Sequence, residues 1–404
     1  MQSVKSGENT GNRRPAHIDM INTTLNAIRL DADSGLRRDL RKPLPAEQVA
    51  NYENGRIGEY DFHTVFYDVF LLEDFKTVVA MGPPLLNLEK ALLPAALNID
   101  GREIKFKTKT RYKQLLVLTA KLPAQLVAFS PGDRVAEAKI AFANGWSKNI
   151  RLRPATPLHG NTIVTHQKDH KIQWIKDWAN YYRSRFYIQN VVIYDNNSAN
   201  QQEVIDGMAG IATVIPWAFP FGITDRSGNN YCQVGAINHL KSRYARNATI
   251  FHFDMDELLV IKTDKAKRAV LSNRQTRFNS FWVPHSPDLP ARYSFADYTK
   301  RYAQPRNGAY KHAVRSDTRG VMSVHHYARA PEFLWRLLPR NISRGPVLPL
   351  TDAYFLHYRG ITTNWNKHYE GDRLSGDADA KRTVSKELVD DYSVVDALNA
   401  LPES

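Results

Sequence analysis

Cysteine, long apolar runs and acidic charge are what this sequence has little of. Its 404 residues include one cysteine, Cys232, which excludes an intramolecular disulfide and argues against a zinc site built on cysteines. No run of about 18 apolar residues occurs, so no transmembrane helix is predicted. Residues Met1 to Pro15 are polar and lack the apolar segment of a secretory signal peptide. These absences together favour a cytoplasmic protein.

Acidic residues are outnumbered: 41 Asp and Glu stand against 55 Lys and Arg, a net charge of +14. A basic chain binds nucleic acid, anionic lipid headgroups or an anionic substrate, or uses its charge for solubility. Hydrophobic residues make up 43% of the chain and aromatic residues 11%, which excludes wholesale disorder. The length and composition therefore predict two or three domains with real cores.

The first third of the chain predicts a β-rich accessory domain. Residues 1–55 are expected to form a flexible tail with a short helical lead-in at Ile18–Leu30. Residues 56–155 carry short strand-like runs separated by turn residues, which is typical of a sandwich-like module. Within them, Leu97–Lys113 is predicted to be a hairpin because an Asp-Gly pair at position 100 divides two strand-like runs.

One strand of this module is strongly basic. Alternate positions carry cations, while Ile104, Phe106 and Tyr112 fall on the other face. The basic positions are Lys105, Lys107, Lys109, Arg111 and Lys113. Two interpretations stay open: a stripe that docks on anionic lipid or glycan, or an edge strand that its lysines protect from aggregation.

Residues 156–404 alternate between strand-like and helix-like patterns. This rhythm predicts an α/β domain with a mostly parallel, Rossmann-like sheet and helices on both faces. The predicted strands are Asn161–Thr165, Val191–Tyr194, Ala212–Pro216 and Thr249–Phe253, and an amphipathic helix is predicted at Ala380–Leu401. Ligands of such sheets bind at the carboxyl ends of the strands, so the chemistry is expected there.

The most informative local pattern is an apolar strand that ends in Asp254 and Asp256. Two carboxylates spaced this way reach one hard divalent cation and a bound phosphate or ribose. A pair of this kind occurs by chance about once in a chain of this size. This chain has three, and only this one follows an apolar strand and precedes another apolar run. The alternative is an exposed acidic turn.

A second strand runs directly into polar residues at Asp195 and Asn197. Such side chains suit the edge of a nucleoside or the hydroxyl groups of a ribose. They equally favour a turn followed by the N-terminus of a helix.

Taken in order, these patterns resemble the GT-A-type glycosyltransferases, and more narrowly their family 2-like and family 92-like (DUF23-type) branch. The resemblance covers about residues 158–370. Its elements are Thr165-His166-Gln167-Lys168 before a helix with Trp174 and Trp178, Tyr194-Asp195-Asn196-Asn197-Ser198, Gln233, Phe253-Asp254-Met255-Asp256-Glu257, Lys311-His312-Ala313-Val314-Arg315, His357-Tyr358 and Lys367. Two places depart from the pattern: Gln167-Lys168-Asp169-His170 replaces the acidic residue usual after the first strand, and Tyr181-Tyr182 replaces a common Tyr-His pair.

The resemblance implies a GT-A catalytic domain that binds Mn²⁺ or Mg²⁺ and transfers a sugar from a nucleotide-diphosphate donor, with UDP favoured. The acceptor is expected to be a hydroxyl group of a glycan or lipid-linked glycan, in polysaccharide biosynthesis. An anionic membrane surface on its cytoplasmic face is a further expected partner. Asp254, Asp256 and His357 would hold the metal. The donor would be bound by Asp195, Asn197, Asp254, Lys311, Arg315 and Lys367.

The catalytic base is the least determined residue. An inverting transfer needs a carboxylate beside the acceptor hydroxyl, and Glu257, Asp288 and Asp352 are the candidates retained, out of five that include Asp297 and Asp317. Two other functions stay open. A nucleotidyltransferase would carry a glycine-rich loop after the first strand, which is not present here. A polyanion- or nucleic-acid-binding protein would explain the charge, but no nucleic-acid-binding signature accompanies it.

Overall fold

The structure is a computed structural model, with described residues in nine stretches. These are residues 23–31, 34–42, 56–126, 136–223, 229–285, 289, 293–328, 345–361 and 387–400. The strands, in chain order, are β1 Ile28–Arg29, β2 Thr64–Phe66, β3 Asp68–Leu71, β4 Thr77–Gly82, β5 Ala96–Ile99, β6 Arg102–Lys105, β7 Lys107–Tyr112, β8 Leu115–Lys121, β9 Ala136–Ala141, β10 Ser147–Leu152, β11 Leu158–His159, β12 Thr162–Gln167, β13 Asn190–Asp195, β14 Thr213–Pro216, β15 Ala245–Arg246, β16 Thr249–His252, β17 Glu257–Ile261, β18 Gln275–Val283, β19 Lys300–Tyr302, β20 Arg306–Arg315, β21 Val321–Met322, β22 Tyr327–Ala328, β23 Ala353–Tyr358 and β24 Leu388–Asp390. The α-helices are α1 Glu89–Leu92, α2 Ile172–Arg185, α3 Gln201–Gly207, α4 Cys232–His239, α5 Asp264–Ser272 and α6 Val395–Asn399, and Leu240–Tyr244 continues α4 as a π-helical turn.

An eight-stranded mixed sheet forms the centre of the second part of the chain. Its spatial order is β14-β13-β12-β16-β20-β18-β23-β17. Strands β20 and β17 run antiparallel to their neighbours, and the other six share one direction. The predicted mostly parallel sheet is therefore confirmed. All four predicted strands lie in it, within two residues of their expected ends.

Both faces of this sheet are covered, because successive residues of a strand point to opposite sides. Ile163 and Phe251 pack into one apolar cluster with helices α2, α3 and α5. Val164 and Ile250, their neighbours along the strands, pack into a second cluster with helix α4. Burial on both faces explains the near-continuous apolar runs of these strands.

Two four-stranded antiparallel sheets precede the central sheet. Their orders are β3-β4-β8-β7 and β10-β9-β5-β6, and residues of both share one apolar cluster. The turn of the predicted hairpin is confirmed, since Ile99 pairs with Arg102 across a turn in which Asp100 and Gly101 both have positive φ. The predicted second arm is too long: it ends at Lys105, because Lys107–Tyr112 pairs with β8 in the other sheet. The basic stripe does not lie on one strand as predicted: Lys105 ends β6, whereas Lys107, Lys109 and Arg111 lie on β7. Each of these strands is the edge of its own sheet, as the protected-edge interpretation requires. A separate sandwich domain with these boundaries stays a prediction.

A buried charged network joins β3 to helix α4 and its π-helical turn. The carboxylate of Asp68 accepts from Arg243 Nη1 at 2.6 Å and lies 2.9 Å from His239 Nε2. His239 Nδ1 lies 2.8 Å from the hydroxyl of Tyr194 in the central sheet. Burial acts to raise the pKa of Asp68, but Arg243 and His239 outweigh it and hold that pKa below its usual value. The first sheet is thus bound to the α/β part through ionic contacts as well as apolar ones.

Of two predicted helices, one is wrong and the other is only partly confirmed where the structure describes them. Residues 23–30 of the predicted lead-in helix are not helical: Ile28 in β1 pairs with Phe66, and its side chain is buried in the apolar cluster shared by the two four-stranded sheets. In the predicted C-terminal helix, Leu388–Asp390 is a strand paired with β19, and only Val395–Asn399 is helical. In both segments the strand pairing available in the tertiary structure overrides local helical spacing. Among the described residues, no helix is long and apolar enough to cross a membrane.

Candidate active site

Charged side chains converge at the edge of the central sheet where β12, β13, β16 and β18 end and β17 begins. Between β16 and β17, Phe253 and Met255 are buried in the core, which turns Asp254 and Asp256 outward to this edge. The alternation of apolar and acidic residues in the sequence is therefore what aims both carboxylates at the same place. We call this edge the acidic site.

Asp254 is bound by protein groups on both of its carboxylate oxygens. Its Oδ2 accepts from Nζ of Lys311 at 2.5 Å, and its Oδ1 accepts from Nε2 of Gln233 at 2.8 Å. Burial acts to raise the pKa of Asp254, but the ammonium group beside it outweighs burial and holds the pKa below its usual value. Asp254 is thus an ionised carboxylate paired with a cation.

Asp256, Glu257 and His357 offer one ligand atom each within 4.8 Å of one another. The pairing of β17 with β23 places Glu257 directly opposite His357. His357 Nε2 lies 3.2 Å from Asp256 Oδ2, and His357 Nδ1 lies 4.0 Å from Glu257 Oε1. Burial acts to lower the pKa of His357, but the Asp256 carboxylate outweighs it and raises that pKa. Two carboxylates and one imidazole suit Mn²⁺, and the carboxylates suit Mg²⁺.

Glu257 connects this group to the Asp254–Lys311 pair. Its Oε2 accepts from the backbone N–H of Asp254 at 2.9 Å and lies 3.0 Å from Nζ of Lys311. Burial raises the pKa of Glu257 to about 7, even though Lys311 acts to lower it. With Oε2 occupied, Oε1 is the oxygen that faces His357. A carboxyl group whose pKa lies near neutral pH, within a cluster of charged groups, is typical of functional sites.

Two arginines beside the acidic site have no counterpart among the sequence predictions. The guanidinium carbon of Arg306 lies 3.8 Å from the ring centre of Trp282, and that of Arg359 lies 4.5 Å from it. Trp282 pairs with His357 across β18 and β23, with their rings 6.1 Å apart. The position of Arg359 directly after the His357-Tyr358 pair was the signal available in the sequence. Arg306 is placed only by the antiparallel return of β20.

Asp195 and Asn197 have different surroundings. The carboxylate of Asp195 is fully buried and accepts from Gln167, from the backbone and hydroxyl of Ser198, and from Gln201. Gln167, which stands where the family pattern has an acidic residue, thus helps to hold the end of β13. Asn197 is exposed and has a φ of 57°, typical of a tight turn. Their contact with a nucleoside stays a prediction.

The remaining predicted residues do not reach the acidic site within the described part of the chain. Arg315 lies four residues beyond Lys311 on β20, roughly 13 Å away, and pairs with Asp317 at 3.3 Å. Asp352 precedes β23, five residues and roughly 17 Å from His357. Both are therefore placed away from the predicted chemistry, because strand direction sends them to other ends of the sheet. Asp288 and Lys367 lie outside the described residues.

No protein-family model matches this chain, and no curated protein matches it either. Two crystal structures of S. aureus TarS, residues 1–349, are similar to it, one of them in complex with UDP. The identities are 11% and 10%, and the TM-scores are 0.29 and 0.30. Each likeness covers 57% of this chain and 73% of the other. Identities and TM-scores this low do not establish a shared fold, so any inference about function depends on the acidic site itself.

Proposed function

We propose that this protein is a metal-dependent glycosyltransferase. It transfers a sugar from a nucleotide-diphosphate donor, with UDP favoured, to a hydroxyl group of a glycan or lipid-linked glycan. The observation that carries the proposal is the Asp256–Glu257–His357 group at the strand ends of a mostly parallel sheet. That edge is where such sheets bind their ligands. The order of motifs along the chain supports the same function.

The donor set fits Mn²⁺ or Mg²⁺. Asp256 and His357 are both partly exposed, with side chains 22% and 25% accessible, so a cation and its ligand reach them from solvent. Glu257 supplies the third atom from the buried side. When bound, the metal supplies positive charge for the departing nucleoside diphosphate. Both oxygens of Asp254 are already bound, by Lys311 and Gln233, whereas Oε1 of Glu257 faces His357, so we assign the metal to Glu257 in place of Asp254.

Positive charge for the diphosphate comes, in this proposal, from Arg306 and Arg359. Both guanidinium groups are held against Trp282, next to His357. Planar guanidinium groups bind phosphate oxygens with two parallel hydrogen bonds, and stacking on an aromatic ring orients them beforehand. Lys311 plays a different part: its buried ammonium group offsets part of the negative charge of Asp254 and Glu257, which reduces their repulsion of the diphosphate.

The proposal is tested by thermal shift with UDP-, GDP-, CMP- and dTDP-sugars, each with and without Mn²⁺. We expect one donor class to raise the melting temperature only when Mn²⁺ is present. The variant Asp256→Asn is expected to lose this response and metal-dependent hydrolysis of the same donor. Asp352→Asn removes a carboxylate at the other end of β23 and is expected to keep both.

Two results would overturn the proposal. One is the absence of a metal-dependent response to any donor. The other is an Asp256→Asn variant that hydrolyses the donor at the rate of the unsubstituted protein. Steeply salt-dependent binding of DNA or RNA without metal-dependent turnover would instead support the polyanion-binding alternative.

A further inference from the structure

A second site lies between the N-terminal sheet β3-β4-β8-β7 and the α/β part. It is a cleft of about 670 Å³ between β7, the turn after β3, the π-helical turn after α4 and the turn after β20. Four cations line it: Lys109, Lys241, Arg246 and Arg319. We call it the basic cleft.

The basic cleft is distinct from the acidic site. Lys241 follows the C-terminus of α4, whereas Gln233, at the other end of that helix, contacts Asp254. Eight residues of helix separate the two positions by roughly 12 Å. The turn at 316–320 likewise follows the far end of β20. A ligand in one site therefore does not occupy the other.

The carboxylates of the basic cleft are already paired. Glu73 accepts from Arg246 Nε at 2.7 Å, and Asp317 accepts from Arg315 Nε at 3.3 Å. Asp74 accepts from the Thr77 hydroxyl at 2.6 Å and from two backbone N–H groups, with Nζ of Lys121 at 3.9 Å. These three carboxylates therefore leave little negative charge to balance the other cations of the basic cleft.

Three of its cations have no carboxylate in direct contact within the described part of the chain. Among the described residues, no carboxylate forms an ion pair with Lys109, Lys241 or Arg319. Lys241 is partly buried, and its Nζ donates to the carbonyls of Thr318 and Gly320 at 2.6 and 3.0 Å. Burial, reinforced by Lys109, lowers the pKa of Lys241 to about 8, although Asp317 acts to raise it. A desolvated ammonium group that faces other cations gains from an anionic partner.

We propose that the basic cleft binds the phosphate or diphosphate group of a small molecule. Its concave shape, between the edge of the N-terminal sheet on one side and the π-helical turn with residues 316–320 on the other, favours a small ligand over a flat bilayer. Lys109 and Arg319 would approach the phosphate from the rim, and Lys241 from the floor with its remaining N–H. This assigns one residue of the basic stripe, Lys109, to the site and leaves Lys107 outside it. The proposal does not depend on the glycosyltransferase function.

The probe is inorganic pyrophosphate, titrated calorimetrically at low ionic strength with EDTA so that no metal-assisted binding contributes. We expect the full chain to bind it. Lys109→Met and Lys241→Met are each expected to weaken the affinity about tenfold or more, because each removes a charge-assisted hydrogen bond. Lys241→Arg is expected to retain most of it. Lys107→Met, an exposed lysine on the same strand, is the matched control and should bind as the unsubstituted protein does.

The proposal is overturned if pyrophosphate gives no binding at millimolar concentration, or if Lys107→Met and Lys109→Met weaken binding equally. Vesicles containing phosphatidylglycerol form a second arm. If the vesicles bind in a way that depends equally on Lys107 and Lys109, and pyrophosphate does not bind, the lysines of β7 contact an anionic membrane surface instead. Should Lys241→Met fail to fold, the exposed Lys109 still decides the outcome.

Discussion

At the scale of single residues, Lys311 decides how the acidic site is arranged. Its side chain is fully buried, and its Nζ lies 2.5 Å from Asp254 and 3.0 Å from Glu257. Burial acts to lower the pKa of Lys311, but the two carboxylates outweigh it and raise that pKa. Three carboxylates spaced over four positions would otherwise repel one another. Lys311 therefore lets two of them share the edge of the sheet with Asp256.

The variant Lys311→Met keeps most of the side-chain volume and removes the charge. We expect the free energy of unfolding to fall by about 3–5 kcal/mol, because Asp254 and Glu257 lose their buried counterion. Urea unfolding followed by circular dichroism measures this change. Lys300→Met, on an exposed position of β19, serves as the control and is expected to stay within about 0.5 kcal/mol. A loss no larger than that of the control would show that the pair contributes nothing to stability.

At the scale of elements, helix α4 lies between the central sheet and the N-terminal sheet β3-β4-β8-β7 and contacts both. All its residues are buried, because the central sheet covers one side and the N-terminal sheet the other. Gly235 allows the contact: a Cβ built there would lie 2.4 Å from the ring of Tyr67. The helix thus carries Gln233 to Asp254 at one end and reaches the basic cleft at the other.

The variant Gly235→Ala tests this close approach. Alanine raises helix propensity by about 1 kcal/mol, but overpacking against a buried ring costs about 1–3 kcal/mol. We therefore expect a net loss of stability of up to about 2 kcal/mol, measured by chemical denaturation. Gly58→Ala meets no atom within 4 Å and is the matched control. If Gly235→Ala is instead more stable by about 1 kcal/mol, the full gain in helix propensity, the Tyr67 ring moves aside at no energetic cost and the contact is not tight.

At the scale of the whole molecule, buried histidines make the fold sensitive to acid. Burial lowers the pKa of His166 and His312 to about 3 and that of His170 to about 4. All three are neutral in the folded protein at neutral pH. The unfolded chain takes up protons on them near pH 6.5, whereas the folded chain does not. Their contribution to stability is therefore complete above about pH 6.5 and is lost as the pH falls toward 4.

Unfolding measured between pH 7 and pH 5 tests this dependence. We expect each of the three histidines to cost about 2 kcal/mol of stability at pH 5 relative to pH 7. His312→Gln removes one proton-uptake site and is expected to flatten the slope by about one proton. His63→Gln changes an exposed histidine and is expected to leave the slope as it is. Equal slopes for both variants would contradict the assignment.

Elements whose periodicity agrees with their burial could be predicted from the amino-acid pattern alone. The strands ending at Gln167, Asp195 and His252 carry apolar runs because both faces of the sheet are covered, and the Asp-Gly turn at position 100 has only a few conformations to adopt. The placement of Asp254 and Asp256 at a strand end followed from the same pattern. Local patterns are enough here because the apolar runs of the strands themselves indicate burial on both faces, and the turn depends on two adjacent residues.

Which residues contact one another depends on how the strands pair and pack in three dimensions. The pairing of β17 with β23 brings Glu257 opposite His357 across one hundred positions of sequence, and the antiparallel β20 delivers Lys311 to Asp254 but carries Arg315 away. Strand pairing likewise replaced helix at Ile28–Arg29 and Leu388–Asp390. Strand order and direction are set by packing between distant segments, and no local spacing encodes them. The composition of the acidic site could thus be predicted from sequence, but its ion pairs could not.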